Sequence, residues 1–216
     1  MTDDELRRDV AAELSWDPQV GSKAIDISAD NGTVTLRGTV PSLRQKRAAG
    51  RAAARVHAVT RVVNELAVRI PARDQRDDDD LRGDVLEALM LDVAVPMTVD
   101  AKVREGIVIL TGTAEWHYQR SEAENRAMSV PGVIGVENAI ALTQAPDAGE
   151  ARADISRAWR RNAMLDADGI SVDTVSFGVI VLSGAVCCWA AHDDAVAAAW
   201  SAPGVMEVDD RIRIEY

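Results

Sequence analysis

A short strand bracketed by two glycines occurs three times in this chain. The copies are Gly32-Thr-Val-Thr-Leu-Arg-Gly38, Gly106-Ile-Val-Ile-Leu-Thr-Gly112 and Gly178-Val-Ile-Val-Leu-Ser-Gly184. Their leading glycines are 74 residues apart (32 to 106) and then 72 residues apart (106 to 178). A nearly fixed period of this length indicates that one small folding unit is repeated three times.

The same order of apolar patterns surrounds each copy. In the first unit, Thr2 and Glu5 have the spacing of a capping box, and Leu6, Val10 and Leu14 form an apolar helical stripe. Two alternating strands, an alanine-spaced helix and a last strand follow. A strand–helix–strand connection makes its two strands parallel, so we expect a mixed sheet. Helices packed on a mixed sheet give an α+β fold. The predicted architecture is three tandem αββαβ units, each a three-stranded mixed sheet with two helices on one face.

These patterns also place the unit boundaries. The first unit covers residues 1–70, an acidic linker 71–80, the second unit 81–143, a second linker 144–150 and the third unit 151–216. The Asp77–Asp80 run is expected to be a solvated linker that can also supply negative charge to a helix N-terminus. In the third unit the first strand lies one residue further from its glycine, which predicts a longer turn or a β-bulge.

Charge restricts the classes of partner. The chain has 24 Lys and Arg against 35 Asp and Glu, a net charge of −11, which argues against nucleic acid as a partner. The excess of acidic residues is confined to the second and third units. Residues 1–70 hold 11 basic and 9 acidic side chains, whereas residues 71–145 hold 7 and 14, and residues 146–216 hold 6 and 12.

Neither the termini nor the cysteines suggest an envelope protein. The N-terminus has no apolar run, so we expect no signal peptide and a cytoplasmic location, peripheral to a membrane if lipid is bound. No apolar stretch is long enough to form a transmembrane helix. Cys187 and Cys188 are adjacent, and a disulfide between neighbours closes no useful loop.

The repeated motif resembles the BON domain family. The shared pattern is Ile-x-Val-x-x-x-x-Gly-x-Val-x-Leu-x-Gly, an alanine-spaced helix, and then Pro-Gly-Val-x-x-Val-x-Asn. The second unit matches it best, and the third has Asp210 where the asparagine is expected. Eight glycines carry the structural part of the motif: Gly32, Gly38, Gly106, Gly112, Gly132, Gly178, Gly184 and Gly204.

This resemblance implies more about fold than about function. Family members are associated with envelope integrity and osmotic stress, and some are proposed to bind anionic phospholipid. The motif glycines and asparagine are turn residues, so the resemblance transfers no catalytic position. A cytoplasmic relative that joins one BON unit to a LysM module binds potassium, which implies a small-ligand or potassium-sensing module as the alternative function.

A basic stripe on the second helix of the first unit is the main candidate site. Arg44, Arg47, Arg51 and Arg55 are spaced i, i+3, i+7 and i+11, with Lys46 beside them. Such a stripe can contact anionic lipid headgroups, so we assign these five residues as a hypothetical lipid- or anion-binding site. The alternative is a solvated helix face lying against the Asp77–Asp80 run.

Aromatic residues form a second candidate site. Trp116, His117 and Tyr118 follow the second unit's glycine-bracketed strand, and Trp189 lies near His192 in the corresponding region of the third unit. They are assigned as a hypothetical partner-binding rim, and the alternative is that they cap a small core.

The adjacent cysteines could be redox-active or bind a soft metal, but a strand-end filler is the simpler interpretation. With no further cysteine and no ligand-spaced histidine pair, zinc is not expected.

No catalytic arrangement is visible in the sequence. His57, His117 and His192 bear no regular relation to a serine, cysteine or aspartate, and the aspartate run lacks the spacing of a calcium loop. We therefore predict a non-enzymatic, stress-related binding or scaffold protein without cofactor or metal. Its expected partner is anionic phospholipid or another protein, and self-association is an open alternative.

Overall fold

The computed structural model describes residues 1–143, 148–163, 165–176 and 178–216. Of the predicted second linker, residues 144–147 lie outside the described residues. Two compact units are present: the first comprises Met1–Thr113 with Arg120–Ala141, and the second Ala114–Gln119 with Leu142–Tyr216. The first compact unit thus holds most of the first two repeats, and the second holds the third repeat.

The first repeat begins with the expected capping box. The Glu5 amide donates to Thr2 Oγ1 over 3.3 Å, and the Thr2 amide donates to the Glu5 carboxylate over 2.8 Å. These bonds satisfy two amide groups that a helix start leaves unpaired. The elements that follow are α1 (Asp3–Trp16), β1 (Ile25–Asp30), β2 (Thr33–Val40), α2 (Leu43–Ala54), β3 (Arg61–Asn64) and β4 (Ala67–Val68).

The sheet of the first repeat is mixed, which confirms the predicted α+β class. Strand β1 pairs antiparallel with β2, and β2 pairs in parallel with β3 and β4. Both helices pack on the face of β2 that carries Val34 and Leu36, so α1 and α2 bury their apolar sides in one core. The core residues of α1 are those predicted from its stripe, Leu6, Val10 and Leu14.

The second repeat has the same element order with shorter strands. Its elements are α3 (Asp78–Met90), β5 (Asp100–Arg104), β6 (Ile107–Thr111), β7 (Thr113–Ala114), α4 (His117–Ser129), β8 (Gly135–Asn138) and β9 (Ala141–Leu142). Strand β6 pairs antiparallel with β5 and in parallel with β8. The second and third strands are each divided, and their outer parts, β7 and β9, pair with each other.

The end of the predicted acidic linker supplies negative charge to a helix N-terminus, as expected, and its last three residues belong to helix α3. Asp77 caps α3 by accepting a 2.8 Å bond from the Asp80 amide. Asp78 accepts bonds of 2.7 Å from the Glu105 amide and 3.0 Å from the Gly106 amide, and so fixes the turn between β5 and β6. The helix begins three residues before the predicted boundary because Asp77 accepts the bond of the Asp80 amide and the aspartates of the first turn place negative charge at the helix N-terminus.

The third repeat contains the predicted irregularity. Its elements are α5 (Ala148–Arg161), β10 (Ile170–Ser176), β11 (Val179–Val186), α6 (Trp189–Trp200) and β12 (Glu207–Ile214). The register between β10 and β11 shifts between Thr174 and Ser176, which confirms the predicted bulge. Trp159 is fully buried, and its indole N–H donates to the Ala195 carbonyl over 3.1 Å.

All eight motif glycines have positive φ. At the closing position of the motif, steric contact also excludes a side chain. A Cβ on Gly38, Gly112 or Gly184 would lie 2.1, 2.1 or 2.3 Å from a backbone carbonyl oxygen. In the first repeat, Ala58 stands where the other repeats have Gly132 and Gly204, and it adopts φ of +67°. An L-residue with a side chain is strained in that conformation.

Candidate functional site

Helix α2 presents opposite faces to the core and to solvent. Ser42 caps it by accepting a 3.2 Å bond from the Gln45 amide. The inward face consists of small buried residues that let the helix lie close to the sheet: Ala48, Ala49, Ala52 and Ala53. The predicted basic stripe therefore lies on the outer side, but its members have different surroundings.

Arg55 is held within the first repeat. Its guanidinium pairs with Glu13 at 2.9 Å and with Asp17 at 2.8 Å. Hydrogen bonds from Arg55 and then from the Gln19 amide lower the pKa of Asp17, while the bond with Asp17 raises the pKa of Arg55. Because its guanidinium pairs with two carboxylates of the α1 end, Arg55 links the end of α2 to the end of α1.

Arg47 links α2 to α4. Its Nη1 donates to Asn125 Oδ1 over 3.3 Å, lies 2.9 Å from Met128 Sδ and is 3.8 Å from the Glu124 carboxylate. The carboxylate partners of Arg47 and Arg55 therefore lie elsewhere than in the Asp77–Asp80 run, against which the alternative interpretation had placed this helix face. Lys46 is half-buried, and its backbone carbonyl accepts a bond from Asn64.

A cleft of about 390 Å³ lies beside the stripe in the first compact unit. We call it the basic cleft; its lining residues are Gln19, Arg44, Arg47, Arg51, Asn125, Arg126, Met128 and Ser129. Among the residues that the structure describes, neither Arg44 nor Arg51 forms an ion pair with a carboxylate. Arg51 has a longer-range attraction to Asp17. The basic cleft therefore offers two guanidinium groups for an anion.

Arg126 brings α4 into the basic cleft, a contribution that sequence spacing did not indicate. Its guanidinium pairs with Asp92 and, at 2.9 Å, with Glu122. The pKa of Asp92 is lowered, mainly by the bond from the Ala94 amide and further by Arg126. Because Arg126 already has two carboxylate partners, its role in the cleft is structural as much as electrostatic.

An exposed apolar segment was also missed; it runs from Met90, the last residue of α3, to Met97 before β5, and we call it the exposed apolar loop. Its large apolar side chains are exposed by 81% at Met90, 79% at Leu91, 103% at Val93 and 98% at Met97. The run Met90-Leu-Asp-Val-Ala-Val-Pro-Met97 is the sequence signal, but apolar residues usually suggest burial. Only the structure shows that Val95 is the member of this run that turns inward.

The predicted aromatic rim residues are in different environments. The rings of His117 and Trp200 stack within the second compact unit, with centroids 3.8 Å apart and planes 15° apart. Trp189 contacts His192 edge-on at 5.1 Å. Trp116 is half-buried, whereas Tyr118 is exposed. His117 therefore meets Trp200 rather than Trp189, and a partner-binding role for these residues stays a prediction.

The family asparagine position differs between repeats. Asn64 donates to the Lys46 carbonyl over 2.7 Å, and Asn138 donates to the Arg120 carbonyl over 3.0 Å, each joining the third strand to the second helix. In the third repeat, Asp210 is bonded to His192 Nε2 at 2.7 Å, again 18 residues earlier in the chain. A carboxylate cannot donate, so the histidine side chain supplies the donor. His192 therefore has a structural partner.

The surroundings of Cys187 oppose activation of its thiol. The sulfur atoms of Cys187 and Cys188 are 3.7 Å apart, and both thiols are free. The pKa of Cys187 is raised, mainly by its hydrogen bond with Cys188, which opposes formation of the reactive thiolate. Over the described part of the chain, no group of three or more His, Cys, Asp or Glu could hold a metal ion.

Comparison with known proteins identifies the repeated unit. The model of the family described as "BON domain" matches residues 2–70, 77–144 and 147–216. Osmotically-inducible protein Y of Escherichia coli (strain K12) is 31% identical over 143 residues, which cover 64% of this chain and 71% of that protein. No helix within the described residues is long and apolar enough to cross a membrane.

Solved structures give only distant similarities. The C-terminal domain of CdsD, the structural protein of the Type III secretion system of Chlamydia trachomatis, is 13% identical with full coverage of both chains and a TM-score of 0.28. A second CdsD structure is also 13% identical, with 96% and 91% coverage and a TM-score of 0.26. Scores this low support no conclusion about the fold or function of this chain.

Proposed function

Because this chain belongs to the BON domain family, we propose that it is a non-enzymatic binding protein that contacts anionic phospholipid through the basic cleft. The observation that carries this proposal is the pair Arg44 and Arg51, which line the cleft without forming an ion pair with a carboxylate of the described residues. A guanidinium group matches the geometry of a phosphate, since it can donate two parallel hydrogen bonds.

The charge distribution confines the attraction to an anionic membrane to the first repeat. Each cationic side chain near an anionic membrane contributes about 1 kcal/mol to binding. The net charge of −11 repels the same surface at longer range, so the first repeat, with 11 basic and 9 acidic residues, is the part best suited to approach it. Binding of this kind is weak and is screened by salt, because exposed charges interact over about 8 Å at physiological ionic strength.

The physiological setting in the proposal is osmotic stress. Its support is the relative named Osmotically-inducible protein Y, with 31% identity over most of its length. The non-enzymatic character is supported by the structural contacts that two histidine side chains and the motif glycines make. His192 bonds to Asp210, His117 stacks on Trp200, and the motif glycines form turns.

Vesicle flotation tests the proposal. The protein should float with vesicles of phosphatidylglycerol and phosphatidylcholine, should remain unbound with phosphatidylcholine alone, and should be released as salt is raised. Arg44→Glu with Arg51→Glu should abolish flotation and lower the melting temperature only slightly, because neither side chain holds an internal ion pair and the attraction of Arg51 to Asp17 is long-range. This pair is a cleaner test than Arg47, which also joins α2 to α4.

If the double variant floats as well as the wild type, the basic cleft is not the contact. If the wild type does not bind anionic vesicles, the lipid proposal is wrong. Capture of a protein from lysate that depends on Arg44 and Arg51 would then favour a protein partner for the same surface.

A further inference from the structure

We propose that the basic cleft and the exposed apolar loop form one composite membrane site, shared between the first two repeats. In this site the arginines hold the phosphate of a phospholipid, and Leu91 and Val93 enter the boundary between headgroups and acyl chains. The inference rests on the proposed lipid contact and adds a second, apolar part to it.

The two parts are continuous on the first compact unit. Arg126 lines the basic cleft together with Arg44 and Arg51. Arg126 also lines a smaller cavity, of about 200 Å³, whose other lining residues include Leu91 and Val93. One side chain of α4 therefore borders both the cationic and the apolar part.

The loop is fixed beside the cleft by polar contacts. Asp92 lies between Leu91 and Val93 in sequence, and its carboxylate pairs with Arg126. The other oxygen of Asp92 accepts a 2.8 Å bond from the Ala94 amide, which stabilises the turn. With its central residue held at both oxygens, the loop presents its flanking apolar side chains to solvent in a defined place.

More large apolar side chains are exposed in this segment of the second repeat than in the same segment of the first. There, Asp17 pairs with Arg55 in the same manner as Asp92 with Arg126. The large exposed apolar residue beside it is Trp16, and Val20 further along is buried. The second repeat exposes four large apolar side chains in the same segment. Clustered exposed apolar residues mark interaction surfaces, because water hydrates them at a cost.

Charge complementarity favours a phospholipid surface over a protein as the occupant. Cationic side chains next to exposed apolar ones are the arrangement by which proteins lie at a membrane interface. The carboxylates of Asp92 and Glu122 are already paired with Arg126. Asp84 and Glu87 border Leu91 and Arg126 in a separate cleft, and they oppose close approach of anions on that side. The attraction is therefore concentrated at Arg44 and Arg51.

The test compares two double variants against two ligands. The first is Leu91→Ser with Val93→Ser, and the second is Arg44→Glu with Arg51→Glu. Binding is measured to phosphatidylglycerol-containing vesicles by flotation and to glycerol phosphate in solution by NMR shift titration. Met206→Ser is the matched control, because Met206 is an exposed apolar side chain on the second compact unit.

We expect the serine pair to weaken vesicle binding at least tenfold and to leave binding of glycerol phosphate unchanged. The glutamate pair should abolish both, and the control should alter neither. The serine substitutions should not affect folding, since both side chains are largely exposed, and melting temperature verifies this.

Three results would overturn the inference. Vesicle binding by the serine pair at wild-type strength, while the glutamate pair fails to bind, removes the apolar part and leaves the proposed lipid contact intact. Glycerol phosphate binding as tight as vesicle binding would identify a soluble phosphate as the ligand. Failure of the wild type to bind vesicles would reject the composite site together with the proposed function.

Discussion

Helices α2 and α6 occupy the same place in the first and third repeats, yet only their buried faces are alike. Ala49 and Ala53 of α2 are matched by Ala195 and Ala199 of α6, and all four are fully buried. The exposed faces differ. Helix α2 carries Arg44, Lys46, Arg47 and Arg51, whereas α6 has no lysine or arginine and carries Asp193 and Asp194.

The difference separates what the fold requires from what a partner requires. Small residues are kept on the inner face because the helix must lie close to the sheet, and a larger side chain there would be overpacked. Fewer packing constraints act on the outer face, so its charge can change sign between repeats. The proposed binding role therefore falls to the repeat whose outer face is cationic, and the third repeat can serve as an internal control.

The shared scaffold should respond equally in both regions. Gly38→Ala and Gly184→Ala each place a methyl group against a backbone carbonyl at positive φ. We expect each to lower the free energy of unfolding of its repeat by about 2–5 kcal/mol. Denaturant melts of the two variants measure this, and a neutral effect at Gly184 would show that the third repeat does not share the constraint.

The bond between the second helix and the third strand is made by different groups in the first and third repeats. Asn64→Ala removes the bond to the Lys46 carbonyl and should cost about 1–3 kcal/mol. In the third repeat, His192→Ala should cost a similar amount, because it leaves the Asp210 carboxylate without its donor.

Adding Asp210→Asn to His192→Ala should restore part of that loss, since an asparagine can donate to the carbonyl of residue 192 as Asn64 does to that of Lys46. Thermal melts of the single and double variants give the coupling. If the double variant is less stable than His192→Ala alone, the two bonds are not equivalent.

The strained position of the first repeat offers a gain in stability. Ala58 has φ of +67° where the second repeat has Gly132. Ala58→Gly should raise the free energy of unfolding by about 0.5–1 kcal/mol, because relief of strain outweighs the added freedom of the unfolded chain. The matched change Gly132→Ala should have the opposite sign; a loss of stability in both variants contradicts the interpretation.

A smaller effect on stability is expected at acidic pH. The pKa of Asp17 is lowered in the folded state, mainly by its bond with Arg55. The stabilisation is therefore complete above the ordinary carboxyl pKa and is lost as pH falls through the folded value. Asp17→Asn should flatten the dependence of melting temperature on pH between about 5 and 2. An unchanged slope would mean that this ion pair contributes nothing to stability.

Much of the fold could be predicted from the sequence, because the repetition indicates the folding unit and the glycine spacing indicates its turns. The capping box at Thr2, the bulge near Thr174 and the inward face of α1 follow from local patterns. The role of Asp78 at the turn between β5 and β6 could not be predicted, since its partners Glu105 and Gly106 lie 27 and 28 residues away.

Only part of the candidate site could be predicted from the sequence. The arginine spacing of α2 indicated a cationic face, but not that Arg55 pairs with α1 or that Arg126 of α4 lines the same cleft. Exposure of Leu91 and Val93 could not be read from their apolar character. The partner-binding rim and the potassium-sensing alternative stay predictions.

The central proposal is that the outer face of α2, rather than overall charge, binds the membrane. Arg44→Glu with Arg51→Glu and Arg160→Glu with Arg161→Glu change the net charge equally, the latter at exposed positions of α5. Titration with phosphatidylglycerol-containing vesicles compares them directly. We predict at least tenfold weaker binding for the α2 pair, since two contributions of about 1 kcal/mol are lost, and less than a twofold change for the α5 pair. Equal weakening by both pairs would contradict the assignment of the site to α2.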